Sequence, residues 1–264
     1  MSDPVLSDRS GRVLTLTMNR PEALNALNQQ SLRELRKAIE AGGRDSSIGC
    51  VILTGRGRAF CTGADLREVN ARRQAGETEL GEDLRRNYAP LIRSIRECPK
   101  PVIAAINGTA AGAGLSLALA CDLRVAVENA ELIVVFIRVG LVPDAGSMFF
   151  LTRTFGFAKA TEMALTGEAM TVEEAQRLGA IAAVVPAEAL TTKAMELATR
   201  LADGPVKTYR LIKRGLERAM SLDLEQTLEL ESQLQTLAAG TPDHQEAVAA
   251  FLQKRKPRFG GEGA

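Results

Sequence analysis

Two features of the chain could carry chemistry: a glycine-rich loop at residues 107–114 (NGTAAGAG) and Asp144 in the segment GLVPD. The loop separates an apolar run at residues 101–106 from another at residues 112–120, which predicts a strand, a tight loop and a helix start. Unpaired backbone N–H groups at such a loop can face an anion. Asp144 is either the cap of the next helix or an acid/base group. Backbone donors and one carboxylate are a minimal set for enolate chemistry.

The loop on its own is compatible with other sites. A strand, glycine loop and helix also bind dinucleotides, but G-x-G-x-x-G is absent, as is an acidic residue about 20 positions on. The Lys-Ser/Thr ending of a nucleotide-binding P-loop is absent too. A tight turn that only lets helices pack is the simpler alternative. A similar loop at residues 60–65 (FCTGAD) could supply a second N–H donor to the same oxyanion.

The surrounding pattern indicates an α/β fold, because strands and helices alternate at a spacing typical of crossover connections. Strands are predicted at residues 13–18, 50–54, 101–106 and 122–127. Helices are predicted at residues 31–41, with Ser31 as the cap, and at residues 82–96 and 112–120. From about residue 171 onward only helices are predicted, at residues 172–178, 187–202, 206–220, 224–238 and 244–254.

Composition excludes several classes of function. The 264 residues are 45% hydrophobic, which predicts one large domain or one domain with a helical appendage. A net charge of +1 argues against nucleic acid or an anionic membrane as the main partner. The four cysteines lack paired spacing, so neither a zinc site nor a disulfide framework is expected. Without a signal-peptide pattern or a long apolar run, we expect a cytoplasmic protein.

Several segments, taken together and in order, resemble one family. They are residues 19–26 (NRPEALNA), 60–66 (FCTGADL), 100–108 (KPVIAAING), the glycine loop through residue 122, and residues 140–143 (GLVP). This order is similar to that of the crotonase (enoyl-CoA hydratase/isomerase) superfamily. The similarity extends through residues 167–171 and 250–259 and so covers nearly the whole chain.

The resemblance implies a spiral of ββα turns at residues 1–195 and a helical oligomerisation module at residues 196–264. It implies a homotrimer or a dimer of trimers that acts on acyl-CoA thioesters. Coenzyme A is then part of the substrate, and no separate cofactor or metal is expected. The thioester oxygen would lie between the N–H groups of Ala64 and Ala113. The second donor is often glycine in the family, but alanine retains the N–H.

The resemblance also bears on which reaction occurs. Hydratases of the family use two glutamates, and the matching positions here are Ser116 and Phe136, neither of which can act as a general base. GLVPD is similar to the phenylacetate-pathway isomerases, which rearrange a ring 1,2-epoxide, and to their Δ3,Δ2-enoyl-CoA isomerase relatives, in which the aspartate is the sole acid/base. We therefore predict an isomerase in which Asp144 moves a proton from C2 to C4. Phe136 and neighbouring apolar residues are either pocket walls or core.

By the same resemblance, the CoA channel is lined by residues of two segments and a distant lysine: Arg20, Ala23, Leu24, Ala26, Leu27, Ala64, Asp65, Leu66, Arg67 and Lys254. Lys254 belongs to the closing basic run and would act from a neighbouring subunit; a solvated run is the alternative. His244, the only histidine, is expected in a turn before the last helix, and Cys61 and Cys121 in packing. A non-catalytic member of the fold that assembles or binds RNA is the alternative of a different class.

Overall fold

The strands alternate between two sheets. The computed structural model describes residues 3–77 and 79–260, and in these residues we number the strands β1 to β10. Their bounds are Val5–Ser10 (β1), Val13–Met18 (β2), Cys50–Gly55 (β3), Ala59–Cys61 (β4), Val102–Ile106 (β5), Thr109–Ala111 (β6), Leu123–Val127 (β7), Glu131–Ile133 (β8), Ala169–Thr171 (β9) and Ala183–Val185 (β10).

The large sheet has the order β1-β2-β3-β5-β7-β10, and the small sheet has the order β4-β6-β8-β9. The chain therefore enters the large sheet at β3, β5 and β7 and crosses each time to the small sheet at β4, β6 and β8. Pairing is parallel except in the β1–β2 hairpin and between β8 and β9. A helix follows each pair of strands, so the fold is the predicted spiral of ββα turns.

The helices close these turns and build the C-terminal part. Their bounds are Gln29–Arg44 (α1), Leu66–Gln74 (α2), Leu80–Asp83 (α3), Ala89–Arg96 (α4), Ala113–Ala120 (α5), Ser147–Thr166 (α6), Val172–Arg177 (α7), Leu190–Ala202 (α8), Val206–Ala219 (α9), Leu224–Ala239 (α10) and Pro242–Leu252 (α11).

Two helix starts differ from the sequence expectation. Ser31 is not the cap of α1: Asn28 is, and its side chain accepts a hydrogen bond from the Ser31 N–H at 2.8 Å. The helix predicted at residues 82–96 has three parts, because a π-helical turn, Leu84–Tyr88, joins α3 to α4. Such turns are rare and occur often at functional sites.

The core lies between the large sheet and the helices. β5 is fully apolar because it lies between β3 and β7 and is buried on both faces. Every residue of α5 is buried, and all of its side chains except that of Ser116 lack polar atoms, as expected for a helix enclosed by the core. The carboxyl ends of the parallel strands β2, β3 and β5 lie at the same end of the sheet. The segments at residues 19–27 and 107–112 begin at that end.

The C-terminal helices are joined to the core by a partly buried ion pair. The Lys213 ammonium of α9 lies 2.7 Å from an Asp122 carboxylate oxygen and donates to the carbonyls of Cys98 and Lys100. The predicted boundary at residue 195 lies inside α8, whose buried Ala194 and Ala198 belong to the main core. No described helix is long and apolar enough to cross a membrane.

Candidate active site

The two predicted donor loops lie side by side. Leu27 forms a parallel bridge with Ala64, in which Leu27 N–H donates to Gly63 O and Asp65 N–H donates to Leu27 O. Gly63 has φ +97°, and a Cβ added to it would lie 3.2 Å from the Ala113 nitrogen. Only glycine permits this conformation together with so close an approach. The main chain at Gly63–Ala64 therefore touches the start of α5.

The N–H groups of Ala64 and Ala113, the two predicted donors, point away from the backbone hydrogen bonds that fix their loops. Because alternate N–H groups along an extended chain point to opposite sides, the bridge to Leu27 turns the Ala64 N–H away from Leu27. Ala113 is the first residue of α5, so its N–H has no intrahelical acceptor. Neither N–H donates to another residue within the described part of the chain. Two unpaired donors on adjoining segments can hold one oxyanion.

Two asparagines fix the turn that leads into the first donor loop. The Asn25 amide donates to Arg56 O and to Ala59 O at 3.0 and 2.8 Å, and the Asn107 amide donates to Gly57 O and to Ala59 O at 2.9 and 3.1 Å. Asn25 itself has φ +58°, a conformation that asparagine tolerates better than most residues. These contacts hold β4, and hence Gly63 and Ala64, against the glycine loop.

The predicted CoA-binding segments are brought together by an ion pair. The Arg20 guanidinium lies 2.8 Å from Asp65, and the Asp65 carboxylate also caps α2 by accepting from the N–H groups of Arg67 and Glu68. Partial burial opposes ionisation of Asp65, but the hydrogen bonds from Arg20 and α2 outweigh it and lower the pKa of this carboxyl. Arg20 is thus occupied by Asp65, while Leu66 and Arg67 are exposed at the start of α2.

Lys254 stands apart from the other predicted CoA-binding residues. It is exposed, has φ +54° and lies in a turn two residues after the end of α11. The tail that follows runs back along α11, where Arg255 pairs with Glu246, and Gly260 lies against Arg12 at the beginning of β2. Arg20, by contrast, follows the end of β2. Any contact of Lys254 with CoA stays a prediction for a neighbouring subunit.

Asp144 does not cap the next helix. α6 begins at Ser147, its N-cap is Gly146, and no side chain caps it. Ala145 and Gly146 have φ +49° and +85°, which turns the chain between Asp144 and the helix. The carboxyl is thereby left for another purpose, and its buried Oδ1 has no hydrogen-bond partner.

The electrostatic state of Asp144 suits proton transfer. Burial alone raises the pKa of its carboxyl from 3.8 to about 6. A carboxylate with three hydrogen-bond donors, such as Asp65, has its pKa shifted the other way. Among these two carboxyls, Asp144 is therefore the one that can both accept and return a proton near neutral pH.

The two positions that match the hydratase glutamates lie in the same region. Phe136 is 7% exposed, and its ring lies 3.8 Å from the position that a Cβ on Gly112 would take. It therefore borders the glycine loop as an apolar wall. Ser116 is fully buried in α5, and its hydroxyl is hydrogen-bonded to Ser147 Oγ at 2.6 Å and to Asp144 O at 3.1 Å. Neither can activate a water molecule.

Sequence reasoning missed Tyr88 and Ser147. Tyr88 ends the π-helical turn and is 5% exposed. Burial raises the pKa of its hydroxyl well above the usual range, and the charges of Asp83 and Asp144 raise it further. Tyr88 is therefore a neutral phenol close to Asp144. No local pattern marks it, because the π turn that directs it inward is held by Asp83, which pairs with Arg72 at 3.0 Å.

Other groups offer little chemistry. Burial raises the pKa of the thiols of Cys61 and Cys121 to about 12, so both stay protonated. His244 lies in the first turn of α11, where its backbone N–H donates to the capping hydroxyl of Thr241, and not in a turn before the helix as predicted. In the described ranges, no group of three or more His, Cys, Asp or Glu residues is arranged to hold a metal ion.

Replacing Asp144 by asparagine should stabilise the protein. The pKa of this acid is higher in the folded than in the unfolded state, so ionisation opposes folding above pH 6, and the effect disappears below pH 4. Asp144→Asn should raise the free energy of unfolding at pH 8 by about 1–3 kcal/mol, with little change at pH 4. Urea unfolding measures both values.

The matched control should change the free energy of unfolding in the opposite direction. Asp65→Asn removes a carboxylate whose pKa is lowered in the folded protein, so it should reduce stability at pH 8. If Asp144→Asn were no more stable than the parent protein at pH 8, the burial assigned to this carboxyl would be wrong.

The chain is similar to known proteins over nearly its whole length. The family model described as enoyl-CoA hydratase/isomerase matches residues 8–262. The chain is 40% identical to the 1,2-epoxyphenylacetyl-CoA isomerase of Escherichia coli K12, over 99% of this chain and 100% of that protein. It is also 40% identical to the 2,3-dehydroadipyl-CoA hydratase of the same organism, over 99% of this chain and 100% of that protein.

Solved structures give the same result for the fold. An enoyl-CoA hydratase from Polaromonas sp. JS666 superposes with a TM-score of 0.90 at 35% identity, covering 96% of this chain and 98% of that one. An enoyl-CoA hydratase subunit from Geobacillus kaustophilus HTA426 gives 0.89 at 36% identity, covering 98% and 99%. The chain has the crotonase fold and belongs to the enoyl-CoA hydratase/isomerase family.

Proposed function

We propose that this protein is an acyl-CoA isomerase with Asp144 as its single acid/base. The observation that carries the proposal is the state of this carboxyl: it is partly buried, its buried Oδ1 lacks a hydrogen-bond partner, and its pKa is raised to about 6. In the proposed complex, the Ala64 and Ala113 N–H groups hold the thioester oxygen. These three residues supply a base and an oxyanion site, and enolate formation needs no more.

The reaction is a transfer of one proton through an enolate. The Asp144 carboxylate removes a proton from C2 of a 3-enoyl-CoA, and the electron pair moves onto the thioester oxygen. The Ala64 and Ala113 N–H groups stabilise the resulting negative charge. The protonated carboxyl then returns the proton to C4, the double bond lies between C2 and C3, and the enzyme is regenerated.

Hydration is disfavoured by what occupies the two glutamate positions. Ser116 is buried and uses its hydroxyl within the protein, and Phe136 presents an apolar ring. Neither can orient or deprotonate water. Relatives named as hydratases are as similar overall as the named isomerase, so the proposal depends on these side chains and not on overall identity.

The likeness to 1,2-epoxyphenylacetyl-CoA isomerase supports a ring epoxide as a second substrate and a place in phenylacetate catabolism. The same two donors would hold the thioester of such a substrate. Exposed apolar side chains close to Asp144 in sequence favour a hydrophobic acyl group: they are Ile137, Val139 and Phe149, and the Arg153 guanidinium is stacked 3.7 Å above the Phe149 ring.

We further propose a homotrimer or a dimer of trimers. Large apolar side chains are exposed along the C-terminal helices, and covering them by another copy would be favourable. They include Leu216, Leu224, Leu228, Phe251 and Leu252. The position of Lys254 beyond these helices is consistent with a contact to CoA bound in a neighbouring subunit. We propose no cofactor other than the CoA of the substrate.

Turnover assays distinguish the candidate reactions. The protein is incubated with a 3-enoyl-CoA, with 1,2-epoxyphenylacetyl-CoA and with a 2-enoyl-CoA, and products are separated by chromatography. We expect isomerisation of at least one of the first two, and only trace hydration of the third. Asp144→Asn should lower kcat by about 10²–10⁴-fold, the usual size of a general-base contribution, with acyl-CoA affinity unchanged.

The isosteric control is Asp8→Asn, at an exposed position in β1, which should retain full activity. Full activity of Asp144→Asn, or efficient hydration as the main reaction, would contradict the proposal. Salt-dependent RNA binding without turnover would instead indicate the non-catalytic alternative.

A proline at position 113 tests the oxyanion site separately. Proline removes the N–H but is tolerated at the first position of a helix, so Ala113→Pro should fold. We expect kcat to fall about 10²–10³-fold, as for loss of one oxyanion donor. Ala113→Gly keeps the N–H and should stay within a few-fold of the parent. Equal activity of the two variants would exclude the Ala113 N–H as a donor.

A further inference from the structure

Two serine hydroxyls are buried next to the main chain of Asp144. Ser116 lies in α5 and Ser147 is the first residue of α6; they are 0% and 1% exposed. Their oxygens are 2.6 Å apart. Buried hydroxyls must find partners, and a pair linking two helices constrains both.

The pair is joined to the main chain of Asp144. Ser116 Oγ lies 3.1 Å from Asp144 O, and Ser147 N–H donates to the same carbonyl at 2.8 Å. One arrangement of the protons satisfies every group: the Ser147 hydroxyl donates to Ser116, and the Ser116 hydroxyl donates to Asp144 O. The carbonyl of Asp144 then accepts two hydrogen bonds, one from each serine.

These bonds hold a turn that the sequence would not otherwise adopt. Ala145 has φ +49°, which is unfavourable for a residue with a Cβ. Gly146 follows with φ +85°, and a Cβ on it would meet the Phe150 ring at 2.8 Å. An aspartate placed just before a helix normally caps it. The turn prevents this, and the carboxyl stays free of α6.

We propose that Ser116 and Ser147 are positioning residues for Asp144. Through its carbonyl they fix the turn at Ala145, and the turn keeps the carboxyl away from the N–H groups of α6 and available to substrate. This inference rests on the proposed function of Asp144. It also gives Ser116 a defined role: the position that carries a catalytic glutamate in hydratases here supports the aspartate.

Loss of either hydroxyl should loosen the turn. The carboxyl could then reach the first N–H groups of α6 or water, and both would stabilise its ionised form. Few described groups interact electrostatically with Asp144. Tyr88 is a titratable neighbour, and no charged residue shifts the pKa of Asp144. A change in the titration of Asp144 would therefore report the turn itself.

The test compares Ser116→Ala and Ser147→Ala with Cys121→Ala. Cys121 is a matched control because it is buried at the end of α5 and its thiol donates only to Leu117 O of that helix among the described residues. For each serine variant we expect kcat to fall about 10–100-fold, the effect of a small misplacement of a catalytic group, with KM within about threefold. The acidic limb of the pH profile should move to lower pH. The control should change neither.

A second readout does not depend on turnover. Protein labelled with carbon-13 at the aspartate carboxyl carbons is titrated by NMR, and the Asp144 signal is assigned by its absence in Asp144→Asn. The parent midpoint should lie near pH 6, and each serine variant should titrate at least half a unit lower. Melting temperatures close to that of Cys121→Ala would exclude general unfolding as the cause.

The outcomes separate the two proposals. If the parent isomerises neither substrate, the proposed function fails, and the NMR titration still decides whether the serines position the carboxyl. If both serine variants keep the parent midpoint and the parent kcat, the positioning role is wrong. A crystal structure of Ser116→Ala with Ala145 still at positive φ and the carboxyl unmoved would also overturn it.

Discussion

Everything at this site depends on one buried carboxyl oxygen that has no hydrogen-bond partner. In water an aspartate is a weak base, because hydration stabilises its charge. Asp144 loses that stabilisation on folding, and no described side chain replaces it. In the proposed reaction, this raised pKa allows the group to take a proton from carbon and to return it. The folded state is less stable as a result, because it holds an ionised carboxylate where that charge is poorly solvated.

The rest of the site shows how the chain keeps such groups unpaired. The Ala64 and Ala113 N–H groups stay free because neighbouring N–H and C=O groups satisfy the pairing of their loops. Positive φ at Gly63 and Gly112 allows the two loops to meet without side chains between them. At Asp144 the same result comes from Ala145, whose strained backbone is held by buried serines. The groups without hydrogen-bond partners at the centre of the site are thus surrounded by groups that have partners.

Much of this arrangement could be predicted from sequence, and the failures have a common cause. Apolar runs placed four strands of the large sheet (β2, β3, β5 and β7), and glycine loops indicated both donor segments, since these depend on local composition. The other six described strands, which are exposed or only three residues long, were missed, and β10 lies where only helices were predicted. The cap of α1 was misplaced by three residues because Asn28 and Ser31 are both good capping residues. The sequence around Asp144 does not show whether this residue caps α6, because no local sequence rule predicts that Ala145 has a positive φ. Tyr88 and Ser147 enter the site through contacts distant in sequence.

The central claim is that one carboxyl carries the same proton from C2 to C4. The most direct measurement follows deuterium placed at C2 of a 3-enoyl-CoA during a single turnover in ordinary water. Because the Asp144 carboxyl is partly buried, it should return part of the deuterium before exchange with water, so deuterium should appear at C4 of the product above background. A product whose new C4 hydrogen comes entirely from solvent would contradict the direct transfer of one proton by this carboxyl.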